Sequence, residues 1–214
     1  MIRHQHAIID GPEGAIEIFI DLPAQPTGIA LIGHPHPLFG GTPDNKVVTT
    51  LARALREKAC IVLRPGFRGV GASEGEHDQG AGETDDLLAV LAWAQARHDP
   101  DGRLPIYLAG FSFGAYVVTR MAQRLAATGH PVRWLVLVGT AAGYVEGART
   151  YETAAVAPGT LVIHGSSDTT VPLANVLAWA EPLEQPVVVI AGADHFFHRK
   201  LHILRDIVQR AWPQ

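Results

Sequence analysis

The sequence predicts an α/β fold, with a mostly parallel central sheet and helices on both faces. Three observations predict it. Apolar runs at 29–32, 61–63, 106–109, 135–138, 161–163 and 187–190 are almost continuous in Val, Ile, Leu and Ala, as strands are when both faces of a parallel sheet are covered. Segments with helical patterning separate them, and strands alternating with helices argue for a doubly wound sheet. Hydrophobic residues make up 47% of the chain and charged residues 18%, a balance that fits a packed core rather than disorder.

The elements follow in order. Residues 15–20 alternate after the turn-forming Asp10-Gly11-Pro12-Glu13-Gly14, so an N-terminal antiparallel hairpin is expected from about Gln5 to Ile20. A helix over 44–58 is announced by Thr42-Pro43, a capping residue and a proline suited to a first turn. The segment 82–97 is amphipathic and ends near Asp99-Pro100. The next, 113–128, stops at Gly129 with Pro131 soon after. Helices over 173–181 and 197–212 complete the set. With no internal repeat or low-complexity linker, residues 1–214 read as a single domain, and 214 residues suit one α/β unit.

Charge and cysteine usage exclude several classes. The net charge is −4, which argues against a nucleic-acid partner, because phosphate binding needs clustered Lys and Arg. The short basic cluster His198-Arg199-Lys200 reads as the solvated turn of a helix. Cys60 is the single cysteine, so no intramolecular disulfide can form, and its apolar run points to a buried small hydrophobe. The N-terminal Met1-Ile2-Arg3-His4-Gln5-His6 lacks the apolar stretch of a signal peptide, and no apolar run reaches bilayer length. The expectation is a cytoplasmic protein with no membrane partner.

The strongest chemical signal is Gly110-Phe111-Ser112-Phe113-Gly114, a G-x-S-x-G pattern between a strand (106–109) and a helical segment. In that context the glycines permit a sharp turn that exposes the serine oxygen over a helix N-terminus. The backbone N–H of Phe113 is then one oxyanion donor. A serine hydroxyl needs a base, and an imidazole held by a carboxylate supplies one. Asp168 follows the 161–163 strand and His195 follows the 187–190 strand, so both emerge at the same sheet edge as Ser112. Serine, then acid, then histidine is also the order in hydrolases that carry this elbow. Asp194 is the rival acid, but adjacency to His195 disfavours a productive bond between them.

The loop after strand 29–32 reads Gly33-His34-Pro35-His36-Pro37-Leu38-Phe39-Gly40-Gly41-Thr42. In α/β-hydrolases this loop supplies the second oxyanion N–H. Pro35 and Pro37 have none, which leaves His36 or Leu38, and the spacing from His34 favours His36. A His34/His36 metal pair lacks the supporting ligands zinc requires, so no metal or other cofactor is expected. His34 reads instead as a bridge between loop backbones. Leu38, Phe39 and Phe196 are expected to line an apolar substrate pocket, while Phe111 reads as core.

The loop just quoted, the following Asp44-Asn45-Lys46-Val47-Val48, the segment Arg64-Pro65-Gly66-Phe67-Arg68-Gly69-Val70-Gly71-Ala72-Ser73, the elbow, and the Asp168 and His195 loops together resemble small lidless bacterial serine hydrolases. These belong to the α/β-hydrolase superfamily and are related to dienelactone hydrolases and carboxylesterases. The resemblance spans nearly the whole chain. It implies an esterase-like enzyme with a catalytic Ser112, Asp168 and His195 and an open site, acting on small carboxylic esters or thioesters through an acyl-serine. Dienelactone hydrolases proper are expected to carry cysteine at the elbow, where this chain has Ser112. About twenty residues separate the strands at 135–138 and 161–163, too few for a cap of several helices of about 10–14 residues each. Arg68 reads as a structural ion pair rather than a ligand for an acidic substrate. The expected partner is a small-molecule ester, and a homodimer is allowed. A peptidase or amidase on the same residues, and a non-catalytic binding protein of the same fold, are the alternatives.

Overall fold

The structure, a computed structural model, describes residues 2–213. Strands β1 (Ile2–Asp10) and β2 (Ala15–Pro23) form the N-terminal antiparallel hairpin. There follow β3 (Gly28–Gly33), α1 (Lys46–Arg56), β4 (Cys60–Pro65), α2 (Ala81–His98), β5 (Ile106–Phe111), α3 (Phe113–Ala127) and β6 (Trp134–Val138). A two-residue ribbon, β7 (Gly143–Tyr144) with β8 (Thr150–Tyr151), stands where a cap would be inserted. β9 (Leu161–Gly165), α4 (Leu173–Ala180), β10 (Val187–Ile190) and α5 (Leu201–Arg210) close the chain.

The eight main strands lie in the order β1-β2-β4-β3-β5-β6-β9-β10. From β4 to β10 every pairing is parallel, and the hairpin joins through an antiparallel pairing of β2 with β4. Each face of the sheet has its own core. Leu87 and Val90 of α2, Val117 and Met121 of α3, and Val176 of α4 pack on one face. Val47, Leu51 and Leu55 of α1 with Leu204 and Val208 of α5 cover the other. The central strands β3, β4 and β5 are buried on both faces almost throughout, which is why they read as unbroken apolar runs. Cys60 lies inside this core, and burial pushes its thiol up to about 12.

Four local differences from the sequence expectation have physical reasons. The last helix begins at Leu201, not at 197, because Phe197 (φ 54°) and Arg199 (φ 62°) are left-handed and cannot be helical. His198-Arg199-Lys200 is therefore a strained turn before α5 rather than a turn of helix. The first helix is capped by Asn45, whose side chain accepts from the Val47 N–H at 2.9 Å, while Thr42 supplies its carbonyl to the Asn45 N–H. Finally, β10 is a sheet edge, and Val188 and Val189 are exposed, so its apolar run is not covered on both sides. Among the described residues, no helix is long and apolar enough to cross a membrane.

Candidate active site

The site is assembled at the C-terminal edge of the parallel strands. Ser112 follows β5 at φ 56° and ψ −119°, a conformation that costs a side-chain-bearing residue on the order of 1–3 kcal/mol. The flanking glycines make that turn possible. A Cβ on Gly110 would lie 2.5 Å from the Gly114 carbonyl oxygen, and one on Gly114 would lie 2.2 Å from the Gly33 backbone. The Ser112 N–H donates to the Val138 carbonyl of β6 at 2.9 Å, which ties the turn to the neighbouring strand.

His195 and Asp168 come from β10 and β9. Strands pack about 4.8 Å apart, so the β10 loop must lean roughly 14 Å across the sheet to meet β5. Two hydrogen bonds zip the β9 and β10 loops together: Ser167 N–H to the Ala193 carbonyl at 2.9 Å, and Gly192 N–H to Ser166 Oγ at 2.7 Å. The result is an unbroken chain. His195 Nε2 lies 3.0 Å from Ser112 Oγ and accepts its proton, and His195 Nδ1 donates to Asp168 Oδ2 at 2.7 Å. All three are buried, with relative exposures of 8%, 4% and 7% for Ser112, His195 and Asp168. Asp168 Oδ1 accepts the N–H groups of Thr170 and Val171 at 2.9 and 2.8 Å, which fixes the carboxylate plane. The Phe111 ring, fully buried, packs against the imidazole at 4.9 Å. Asp194 turns away and binds His198 at 2.7 Å instead.

The two N–H groups expected to face an oxyanion are both left over. Phe113 opens α3, so its N–H has no partner inside the helix. In the loop from Pro35 to Gly41 the prolines have no N–H, and Leu38 N–H donates to the His36 ring at 3.3 Å. Phe39 and Gly41 donate to the His36 carbonyl, and Gly40 to that of Pro37. The His36 N–H alone in that loop has no acceptor among the described residues. The His36 ring packs at a tilt against Phe113 and His77, with centroids 4.9 and 4.6 Å away. Burial, then the neighbouring His77, lowers its pKa to about 4 against an opposing pull from Glu83.

His34 bridges two loop backbones. Its Nδ1–H donates to the Pro35 carbonyl at 2.7 Å, and its Nε2 accepts the Phe67 N–H at 2.8 Å. Burial lowers its pKa to about 4. With both ring nitrogens engaged, neither is left for a metal. Arg68 forms a two-pronged pair with Asp86, at 2.8 and 3.1 Å. A depression of about 100 Å³ over Ser112 is bordered by His36, Phe39, Asn45, Thr170, His195 and Phe196, among others. Leu38 is not among them. It is 70% exposed and borders a separate cavity with Arg68 and His77, because the short helical turn at Pro37–Phe39 points it outward.

Sequence reasoning missed one contributor. His164, fully buried, donates from Nε2 to the Val171 carbonyl at 2.9 Å and lies 3.3 Å from Asp168 Oδ2. Its position four residues before Asp168 was the available signal, but the contact depends on how the loop folds back. Burial lowers its pKa, and it is neutral near neutral pH.

Comparison with known proteins places the chain in a family. The family model for the thioesterase domain matches residues 36–184. The chain belongs to that family. An uncharacterised protein of Rickettsia prowazekii is 34% identical over 202 residues, covering 89% of this chain and 81% of that one. An α/β serine hydrolase homologue from Coxiella burnetii superimposes with a TM-score of 0.83 at 38% identity, over 98% of this chain and 97% of its own. A serine hydrolase without a lid from Xanthomonas campestris gives the same score and identity, over 98% and 93%. This thioesterase-domain protein is thus a lidless member of the α/β-hydrolase superfamily and a hydrolase of the esterase type.

Proposed function

We propose that the protein hydrolyses small carboxylic esters and thioesters through an acyl-serine intermediate. Ser112, deprotonated by His195, attacks the carbonyl carbon, and the amides of Phe113 and His36 stabilise the oxyanion. His195 then protonates the leaving group and activates water to release the acid, while Asp168 holds its tautomer and stabilises the imidazolium. The observation that carries this reading is the hydrogen-bonded chain from Ser112 through His195 to Asp168, with the serine held at positive φ. The thioesterase-domain match favours including thioesters beside oxygen esters. The small depression over Ser112, with Phe39 and Phe196 at its edge, favours short acyl chains. A panel of 4-nitrophenyl esters graded by acyl length tests this. Turnover should peak at short chains and vanish in Ser112→Ala; undiminished turnover by that variant, or a preference for long-chain lipids, would contradict it.

A further inference from the structure

A larger cavity adjoins the depression over Ser112. It encloses about 430 Å³ and is lined by Asn45, Lys46, Phe196, His198, Arg199 and Leu201. Asn45 and Phe196 border both spaces. Its surface is mainly apolar, and the side chains of both cations in its lining, Lys46 and Arg199, are exposed. Phe196 and Leu201 are apolar, and Lys46 and Arg199 carry charge.

Neither cation has a hydrogen-bond or ion-pair partner for its side chain among the described residues. The acids nearest to them in sequence, two and five residues before, pair elsewhere: Asp44 with Arg64 at 3.0 Å, and Asp194 with His198 at 2.7 Å. The turn that presents Arg199 is also costly. Phe197 and Arg199 are both left-handed, which non-glycine residues adopt rarely and at functional sites more than elsewhere. Surrounding contacts hold the turn there. The Phe197 side chain is fully buried. Phe197 N–H donates to the Asp194 carbonyl, His198 N–H to the Asp194 carboxylate, and Lys200 N–H to the Phe197 carbonyl.

We propose that this cavity is an anion subsite that selects esters or thioesters carrying a carboxylate in their acyl or leaving part. Lys46 and Arg199 receive the carboxylate, and Phe196 and Leu201 pack on the apolar stem that joins it to the scissile carbonyl. A guanidinium matches a carboxylate in geometry as well as charge. The inference rests on the hydrolase reading given above and adds to it a substrate class.

Two matched substrate pairs test it. In the first the acid is on the acyl side: 4-nitrophenyl hydrogen glutarate against 4-nitrophenyl valerate. In the second it is on the leaving side: 4-(valeryloxy)benzoate against its methyl ester. The expected result is a preference of about tenfold in kcat/KM for the acidic member of one pair. That preference should shrink severalfold in Lys46→Met and in Arg199→Gln and weaken in high salt. Arg103→Gln, at the opposite edge of the sheet and beside Asp101, should leave it intact. A neutral preference in both pairs would overturn the proposal, as would a preference that the two cavity variants do not change, or one that Arg103→Gln weakens equally. If wild-type protein turned over none of the four esters, the hydrolase reading itself would fall, and the subsite with it.

Discussion

His34 and His195 are both buried, at 0% and 4% exposure, and both rings use both nitrogens, yet they are built for different work. His34 is fastened to backbone at each end, to the Pro35 carbonyl and the Phe67 N–H. A peptide group neither gives up nor takes a proton near neutral pH, so that ring can only hold two loops together. His195 is fastened to side chains, Ser112 and Asp168. A hydroxyl can yield its proton when it attacks a carbonyl, and the carboxylate steadies the charge that results. Burial of an imidazole therefore says little about its role, and the chemistry of its two partners says most.

The sharpest way to break this comparison is to remove each ring. His195→Ala should lower kcat for ester hydrolysis by about three to six orders of magnitude, and Asp168→Asn by about four, with little change in melting temperature. If the melting temperature collapsed and residual activity per folded molecule stayed high, the contrast would be false. His34→Ala should do the reverse. It removes a buried ring and leaves the Phe67 N–H unsatisfied, at a cost of about 3 kcal/mol of stability in urea denaturation, while activity of the folded fraction falls far less.

Acid should expose the structural ring in another way. His34 titrates near 4 in the folded protein against its usual 6.5. Between those values the unfolded chain binds more protons, so stability falls as pH falls. From pH 7 to 5 the loss from His34 should be about 2 kcal/mol, read as a lower urea midpoint. His36 and His164, whose pKa values burial also lowers, add in the same direction. A stability that rises between pH 7 and 5 would contradict the buried neutral assignment. The smallest effect is expected at His164. Its loss in His164→Gln should cost kcat about fivefold to tenfold through a less firmly held Asp168, with KM unchanged.

Much of this was legible in the sequence because strands buried on both faces leave unbroken apolar runs, and residues just after those runs share one sheet edge. Ser112, Asp168 and His195 could be placed together for that reason. The hairpin was visible from the alternation of β2 and the turn at residues 10–14, although it runs longer than expected at both ends. What could not be read depends on contacts. Nothing in Phe197 or Arg199 announces a left-handed backbone, so the sequence pattern alone places the start of α5 too early. Val188 and Val189 look buried in sequence but lie on an edge strand. The outward aim of Leu38 follows from a three-residue turn, and the approach of His164 to Asp168 follows from a loop folding back. The mixed character of the cavity at Lys46 and Arg199 joins segments more than a hundred residues apart in the chain, which no local pattern reveals.

The central claim is that Ser112 is made nucleophilic by His195. The direct measurement is covalent labelling by a fluorophosphonate, followed by mass spectrometry of the modified peptide. One adduct on Ser112 in the wild-type protein, none in Ser112→Ala and a labelling rate reduced by at least about a hundredfold in His195→Ala are expected. An adduct on another residue, or wild-type labelling rates in either variant, would contradict it.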